Sequence, residues 1–401
     1  MATPILLLNC GSSSIKYQVI DAESEAVMAT GLIQKIGLPS GTLDHTVAPG
    51  TPEERAEHLE QPIPDHADAL RLMTQAFADL GPSLAEVKAV GHRTVHGGEK
   101  FRRTVRIDDS VIQGLRDLSP LAPLHNPPGI AGIEAAMATL PNVPHVAIFD
   151  TAFFSTLPAE AYTYAIDAEL AATYGIRKYG FHGTSHSYVS KKAAATLGRD
   201  LDDLNQIVCH LGNGASISAI RGGVAIETSM GLTPLQGLVM GTRPGDVDPG
   251  LHAFLAREGM TIDEIDTMLN KKSGLAGMTG GTSDFRDLDA LIESGDQAAR
   301  LAYGVYIHRL VSYIGSYLAL LGGVDVLVFT AGVGENAANV RESVCDRLAP
   351  LGFLIDDEAN AVRSKQPRVI SQPGSPVTIM VVPTNEELMM ARETVAVLDE
   401  V

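Results

Sequence analysis

The chain has 401 residues, of which 45% are hydrophobic and 19% charged, with 39 glycines; this is the composition of a loop-rich globular α/β protein and excludes fibrous and disordered classes. Its length exceeds one ordinary core, so two domains of about 150 to 200 residues are expected. Thirty Lys and Arg against 48 Asp and Glu leave a formal charge of −18, which repels nucleic acid and anionic membrane and excludes both as partners.

Residues 5–8 read as a buried strand that breaks at Gly11 into a serine-rich turn and resumes as an alternating strand through Ile15, Tyr17 and Val19. The turn has the chemistry of a phosphate cradle. Gly11 lets the backbone come close, Ser12, Ser13 and Ser14 supply hydroxyl and amide donors, and Lys16 adds a positive charge. No basic leader precedes the short apolar run before Asn9, and Cys10, Cys209 and Cys345 lack metal or disulfide spacing, so a reduced cytoplasm is expected. Segment 37–64, with its prolines, glycines and charges, reads as a surface excursion. Leu70, Met73 and Phe77 predict a helix over 66–80, capped by Asp65 and stopped at Gly81-Pro82.

Strand 88–90 leads to a segment with five cations, Arg93, Lys100, Arg102, Arg103 and Arg106, beside one acid, Glu99. On so acidic a chain this reversal favours an anionic ligand; Arg93 is its candidate, while the others read as a solvated face. Strand 145–149 ends at Asp150, where a carboxylate faces the cleft at the carboxyl edge of a sheet, a cap or turn residue being the alternative. His182 is flanked by Gly180 and Gly183, with Ser185 expected to cap a helix through Leu197. His186 follows one helical turn later, but no carboxylate completes a zinc set, so zinc is not expected.

Strand 207–209 runs into His210-Leu211-Gly212-Asn213-Gly214 and then the alternating Ser216, Ile217 and Ser218, repeating the device at Gly11. Two such loops, one per half, imply one nucleotide clamped between two related domains. Arg243 lies in a glycine-rich stretch without other charge, so its planar fork needs an anionic partner, either a ligand or Asp246 or Asp248. Thr261 and Glu264 have capping-box spacing. The apolar pattern over 298–321 contains Arg300, His308 and Arg309, leaving too short an uncharged run to span a bilayer; Tyr303, Tyr306, Tyr313 and Tyr317 mark it as a core or subunit-interface helix.

No Walker A pattern occurs. Strand 324–329 precedes Gly332, Gly334 and Ala337, which taken alone read as a dinucleotide fingerprint with Asp356 at the ribose position, making an NAD-dependent dehydrogenase the alternative. That reading leaves both serine hairpins unexplained, whereas a split ATP site uses all three loops. Strand 377–382 ends in Pro383-Thr384-Asn385-Glu386-Glu387, and the final helix is expected to return to the first domain. The expected division is therefore 1–150 with 387–401 against 151–386, each half a mixed sheet with helices on both faces.

Asn9-x-Gly11-Ser12-Ser13-Ser14-x-Lys16, Gly91-His92-Arg93-x-Val95-His96-Gly97-Gly98-Glu99, His182-Gly183-Thr184-Ser185-His186, His210-Leu211-Gly212-Asn213-Gly214, Met240-Gly241-Thr242-Arg243 and Pro383-Thr384-Asn385-Glu386-Glu387 resemble the acetate kinase family, in order and over nearly the full length. The resemblance implies an α/β fold of two duplicated actin-like ATPase (ribonuclease H-like) domains with a central nucleotide cleft. It implies an enzyme that reversibly transfers a phosphoryl group in line from ATP to acetate, giving acetyl phosphate and ADP. Mg²⁺, with Mn²⁺ as the alternative, ATP as co-substrate and a cytoplasmic homodimer come with it. Propionate kinase is the close variant, and a non-enzymatic nucleotide switch the remote one.

Carried over by motif, Asn9 and Glu386 correspond to magnesium-associated positions, Arg93 to a substrate-binding arginine, and Val95, Leu124, Phe181 and Pro234 to the acyl pocket. His182 and Arg243 match the groups that stabilise the transferring phosphoryl, and Asp150 matches the catalytic aspartate. Lys16, His210, Leu211, Gly212, Asn213, Gly214, Asp284, Phe285, Arg286, Gly332, Val333, Gly334, Glu335 and Asn336 match nucleotide-binding positions. The sequence departs from the family pattern in Thr330-Ala331-Gly332-Val333-Gly334, where a second glycine and an isoleucine are common, and in Gly280-Gly281-Thr282 before Ser283-Asp284.

A carboxylate beside a nucleophile that is already ionised adds like charge, so Asp150 is expected to orient an arginine or a metal-bound water and not to act as a general base.

Overall fold

The computed structural model describes residues 2–400. Its chain divides into one unit of Met1–Ser155 with Asn385–Val401 and a second of Thr156–Thr384. The division falls after Ser155 and before Asn385, where the motifs put it after Asp150 and before Glu387.

The first unit is built on strands β1 (Pro4–Cys10), β2 (Ser14–Asp21), β3 (Val27–Gln34), β4 (Gly41–Val47), β5 (Arg55–Gln61), β6 (Ala89–Thr94), β7 (Val105–Arg106) and β8 (His145–Phe149). Their order across the sheet is β5-β4-β3-β2-β1-β6-β8-β7. β1 is parallel to β6 and antiparallel to β2, so it lies inside the sheet. That is why Ile5, Leu6, Leu7 and Leu8 form an unbroken buried run, as a strand covered on both faces requires. One face is covered by helix His66–Leu80, whose Ala69, Leu70, Met73, Ala76 and Phe77 join the core with Leu6, Leu8 and Tyr17. Asp65 caps that helix by accepting from the Asp68 N–H at 2.8 Å. Helix Glu386–Asp399 belongs to this unit; a Cβ on Gly91 of β6 would meet Thr394 Oγ1 at 2.7 Å, so only glycine admits so close a helix.

Segment 37–64 is not an excursion. It forms β4 and β5, and Gly41, Leu43, His45 and Val47 alternate inward while Thr42, Asp44 and Thr46 do not. The buried polar member, His45, meets the Tyr17 hydroxyl at 2.7 Å through Nδ1. The period-2 pattern was hidden because a histidine and a glycine occupy inward positions.

The second unit repeats the plan with β9 (Asn205–Leu211), β10 (Ala215–Arg221), β11 (Val224–Thr228), β12 (Val326–Thr330), β13 (Arg368–Val369) and β14 (Thr378–Val381), in the order β11-β10-β9-β12-β14-β13. Replacing β9 by β1, β10 by β2, β11 by β3, β12 by β6, β14 by β8 and β13 by β7 reproduces both order and direction. Even the register irregularity recurs, at Val19/Ile20 and at Ala219/Ile220. The chain is thus a duplicated α/β module, with β4 and β5 added to the first copy. Antiparallel hairpins at equivalent places are incompatible with a dinucleotide fold of parallel strands, and Asp356 caps helix Asp357–Ala361 instead of serving a ribose. Helix Gln297–Leu321 packs on the second sheet and on neighbouring helices and buries Ala302, Tyr306, Ile307, Leu310, Ile314 and Tyr317, so two of its four tyrosines are core residues.

Candidate functional site

In the first unit the β1–β2 turn closes as the Gly11 N–H donates to Ser14 O at 2.8 Å, and the antiparallel register sets Asn9 opposite Lys16. The Lys16 ammonium is held by the Glu387 carboxylate. Parallel pairing of β6 and β8 brings the ends of both strands level, and the Asp150 N–H donates to Thr94 O at 3.0 Å. Arg93 therefore meets Asp150 in a two-pronged pair: Nε donates to Oδ1 at 3.0 Å and Nη2 to Oδ2 at 2.7 Å. Asp150 is 2% exposed, and its charge raises the Arg93 guanidinium above its ordinary value despite burial. Nη1 of Arg93 makes no hydrogen bond among the described residues, so one edge of the fork is pinned and the other is left for an anion.

Glu386 opens helix Glu386–Asp399 beside this pair. Burial pushes its carboxyl above the usual range, Asp150 and Glu387 push it further, and Arg93 and Lys16 oppose them. Asn9, Lys16, Arg93, Glu386 and Glu387 line one small cavity. A carboxylate whose ionised form lacks full compensation, next to an amide oxygen, fits a hard divalent cation of the Mg²⁺ kind, which takes one or two protein oxygens and completes its shell with water and phosphate. Among the described residues no cluster of three His, Cys, Asp or Glu offers a protein-only cage.

In the second unit His182 precedes helix Gly183–Leu197 with φ 59°, a left-handed conformation for a non-glycine residue, and its side chain makes no cap bond. Ser185 is not the cap: it lies in the first turn, where its hydroxyl meets His210 Nδ1 and Thr384 Oγ1, both at 2.8 Å. The His182 ring stacks on His210 with centroids 4.3 Å apart and meets the Ser216 hydroxyl at 2.9 Å through Nδ1. Arg243 Nη1 donates to the Pro234 carbonyl at 2.6 Å, and burial pulls the guanidinium below its ordinary value. No carboxylate pairs with Arg243 among the described residues. Asp246 instead accepts from the Tyr313 hydroxyl at 2.6 Å and the Gly237 N–H at 3.0 Å, with Arg309 at 3.5 Å. Asp248 accepts from the Gly250 N–H at 2.7 Å. A Cβ on Gly214 would meet Arg243 Nη2 at 2.7 Å and His182 Nε2 at 3.6 Å, so the β9–β10 turn is the floor on which these two groups converge.

A cleft of about 740 Å³ in the same unit is lined by Gly212, Asn213, Asp284, Phe285, Arg286, Gly332, Val333 and Asn336, all expected at a nucleotide. It also takes in Gly241, Ser283, Asp289, Tyr306, Ala338, Asn339 and Arg363, which sequence reasoning did not single out for this role. Asp289 accepts from the Asn339 amide at 2.9 Å and its carboxyl is raised by burial; its helical spacing from Phe285 and Arg286 is the signal that could have found it. Tyr306 packs edge-on against Phe285. Asp284 caps helix Phe285–Glu293 and pairs with Arg286, which lowers its carboxyl to about 2.

Six expected nucleotide contacts do not line this cleft. Lys16 belongs to the first unit; His210 and Leu211 are buried in β9; Gly214 lies beside Arg243 and His182. Gly334 accepts from the buried Arg341 at 2.9 Å. Glu335 ties two strand ends, accepting from the N–H of Ala331 at 3.0 Å and of Thr384 at 3.1 Å. Of the expected acyl pocket, Val95 is half-buried just after β6 and Leu124 is 50% exposed, both in the first unit. Phe181, 1% exposed, and half-buried Pro234 lie in the second.

A family model described as the acetokinase family matches residues 4–392. An acetate kinase of Clavibacter michiganensis subsp. michiganensis is 53% identical over 395 residues, 98% of either chain. Among solved structures, the acetate kinase of Porphyromonas gingivalis has a TM-score of 0.92 at 44% identity, covering 99% of this chain and 100% of that one. A propionate kinase from Francisella tularensis subsp. tularensis SCHU S4 has a TM-score of 0.90 at 41% identity, covering 98% of both.

Proposed function

The chain belongs to the acetokinase family, and from that premise we propose that it reversibly transfers the γ-phosphoryl group of ATP to acetate, giving acetyl phosphate and ADP. Acetate is already ionised at neutral pH, so attack needs no strong base. The obstacle is charge: a carboxylate approaches a phosphate of the same sign, and the transition state spreads negative charge over the equatorial oxygens. Positioning and electrostatic stabilisation therefore carry the catalysis.

The observation that carries the assignment of roles is Arg243, a half-buried guanidinium bonded to a carbonyl and, among the described residues, to no carboxylate, converging with His182 over Gly214. Such a fork awaits oxygens of the transferring group. Arg93, pinned on one edge by Asp150, offers its other edge to the acetate carboxylate; Asp150 acts as its holder. Asn9 and Glu386 would hold Mg²⁺, which when bound supplies charge neutralisation to the phosphate oxygens. The loops around Gly212, Asp284 and Gly332 take the nucleotide, and Val95, Leu124, Phe181 and Pro234 supply apolar contact for the methyl group. The family reading carries with it a cytoplasmic homodimer, which sedimentation and fractionation would test; among the described residues no helix is long and apolar enough to cross a membrane.

The likeness to a propionate kinase favours that acid as a second reading. Purified protein with MgATP, assayed for acyl phosphate with acetate and propionate, decides between them: a higher kcat/KM for acetate is expected. Absence of acyl phosphate from either acid at saturating MgATP would overturn both.

A further inference from the structure

A chain of buried hydroxyls and imidazoles runs from the second sheet to His182. Ser218 Oγ lies 2.7 Å from His186 Nδ1, His186 Nε2 lies 2.8 Å from Ser216 Oγ, and Ser216 Oγ lies 2.9 Å from His182 Nδ1. Ser218, Ser216 and His186 are each 0% exposed. The β10 strand alternates its side chains, so Ser216 and Ser218 share a face, and His186 in helix Gly183–Leu197 and His182 just before that helix meet them. Burial and neighbouring His210 hold His186 well below its ordinary value, so it is neutral and has one N–H and one lone pair.

Each hydroxyl has one proton to place. Ser218 Oγ has no acceptor other than His186 Nδ1 among the described residues, so its proton goes there and the His186 proton is on Nε2. His186 then donates to Ser216, whose own proton is left with one destination, His182 Nδ1. The reverse direction would leave the hydroxyl proton of the fully buried Ser218 without an acceptor. A proton on His182 Nδ1 as well would leave the Ser216 proton without an acceptor, so the same count makes the His182 ring neutral.

We propose that Ser218 and Ser216, acting through His186, fix His182 as the tautomer protonated on Nε2, so that a neutral imidazole donates a hydrogen bond beside Arg243 to the transferring phosphoryl group. Ser216, Ser218 and His186 are positioning residues. The inference rests on the assignment of His182 to the phosphoryl group.

Histidine-labelled protein examined by long-range ¹H–¹⁵N correlation spectroscopy, with His182→Ala and His186→Gln to assign the signals, reads the tautomers without any assay. Nε2-protonated patterns are expected for both His182 and His186 in the wild type. Ser218→Ala should mix the two tautomers and lower kcat about ten-fold while both KM values stay within about two-fold, and Ser218→Thr should restore both. A Nδ1-protonated His182 in the wild-type protein overturns the proposal even where the variants fail to fold, as does a Ser218→Ala enzyme with unchanged tautomers or unchanged kcat. Wild-type turnover in His182→Ala would instead remove His182 from the reaction, a different failure with a different readout.

Discussion

Among the described residues Arg243 has a hydrogen bond to one carbonyl and no counter-charge, and the chemistry assigned to it depends on the shape of its fork. Arg243→Lys keeps the charge and loses the fork, so kcat is expected to fall by about 100-fold or more with a modest change in KM, checked by steady-state kinetics. Unchanged turnover would remove Arg243 from the mechanism. Asp150→Asn keeps the shape and loses the charge that holds Arg93 by two hydrogen bonds. Its kcat is expected to drop at every pH, since no base is lost; recovery of activity at raised pH would show instead that Asp150 takes a proton. The need of Arg243 for a partner was legible in its uncharged surroundings. That Asp246 would be unavailable was not, because its partners Tyr313 and Arg309 are more than sixty positions away in the chain.

Elements show the same divide between local and distant causes. Helix His66–Leu80 and the capping box of Thr261 and Glu264 form where their residues dictate, because caps and one-sided apolar spacing act within a few residues. β4 and β5 carry no clear strand signal of their own because a strand is stabilised by its neighbours, and the inward His45 reads as polar without Tyr17 of β2 beside it. The role proposed for the β9–β10 hairpin needs the absence of a side chain at its turn. Gly214→Ala puts a methyl group 2.7 Å from Arg243 Nη2. The backbone there does not need a positive φ, so folding is expected to survive while the guanidinium is displaced and kcat falls about ten-fold or more. Equal kinetics for the variant, with an unchanged melting temperature, would show that Arg243 does not work from this position.

At the scale of the molecule, buried imidazoles set the response to acid. Burial depresses the folded-state values of His45, His92, His145 and His186, and in the cases of His92 and His186 a second histidine adds to it. Below about pH 6.5 the unfolded chain takes up protons that the folded chain refuses, so stability is lost as pH falls through that value. Glu386 and Asp289 work in the opposite sense, since their raised carboxyls bind a proton more tightly in the folded state, but they are two groups against four. Thermal unfolding at constant ionic strength should show a midpoint lower by about 5 °C or more at pH 5.5 than at pH 7.5. A flat profile would mean that these rings are charged or solvated in the folded protein.

The sequence by itself determined what depends on neighbours along the chain: the apolar strands and their turns, the helix caps at Asp65 and Thr261, the repeat of one hairpin device and the motifs that mark the family. Only the tertiary structure decided which side chains meet. Arg93 reaches Asp150 across 57 positions because β6 and β8 pair in parallel and end level. The Ser218-to-His182 chain exists because the helix carrying His186 packs on β9, the neighbour of β10, with hydroxyl and ring at hydrogen-bond distance. Residue type supplies the donors and acceptors, but a hydrogen bond is lost over a few tenths of an ångström, and that tolerance is met only by strand register and helix packing.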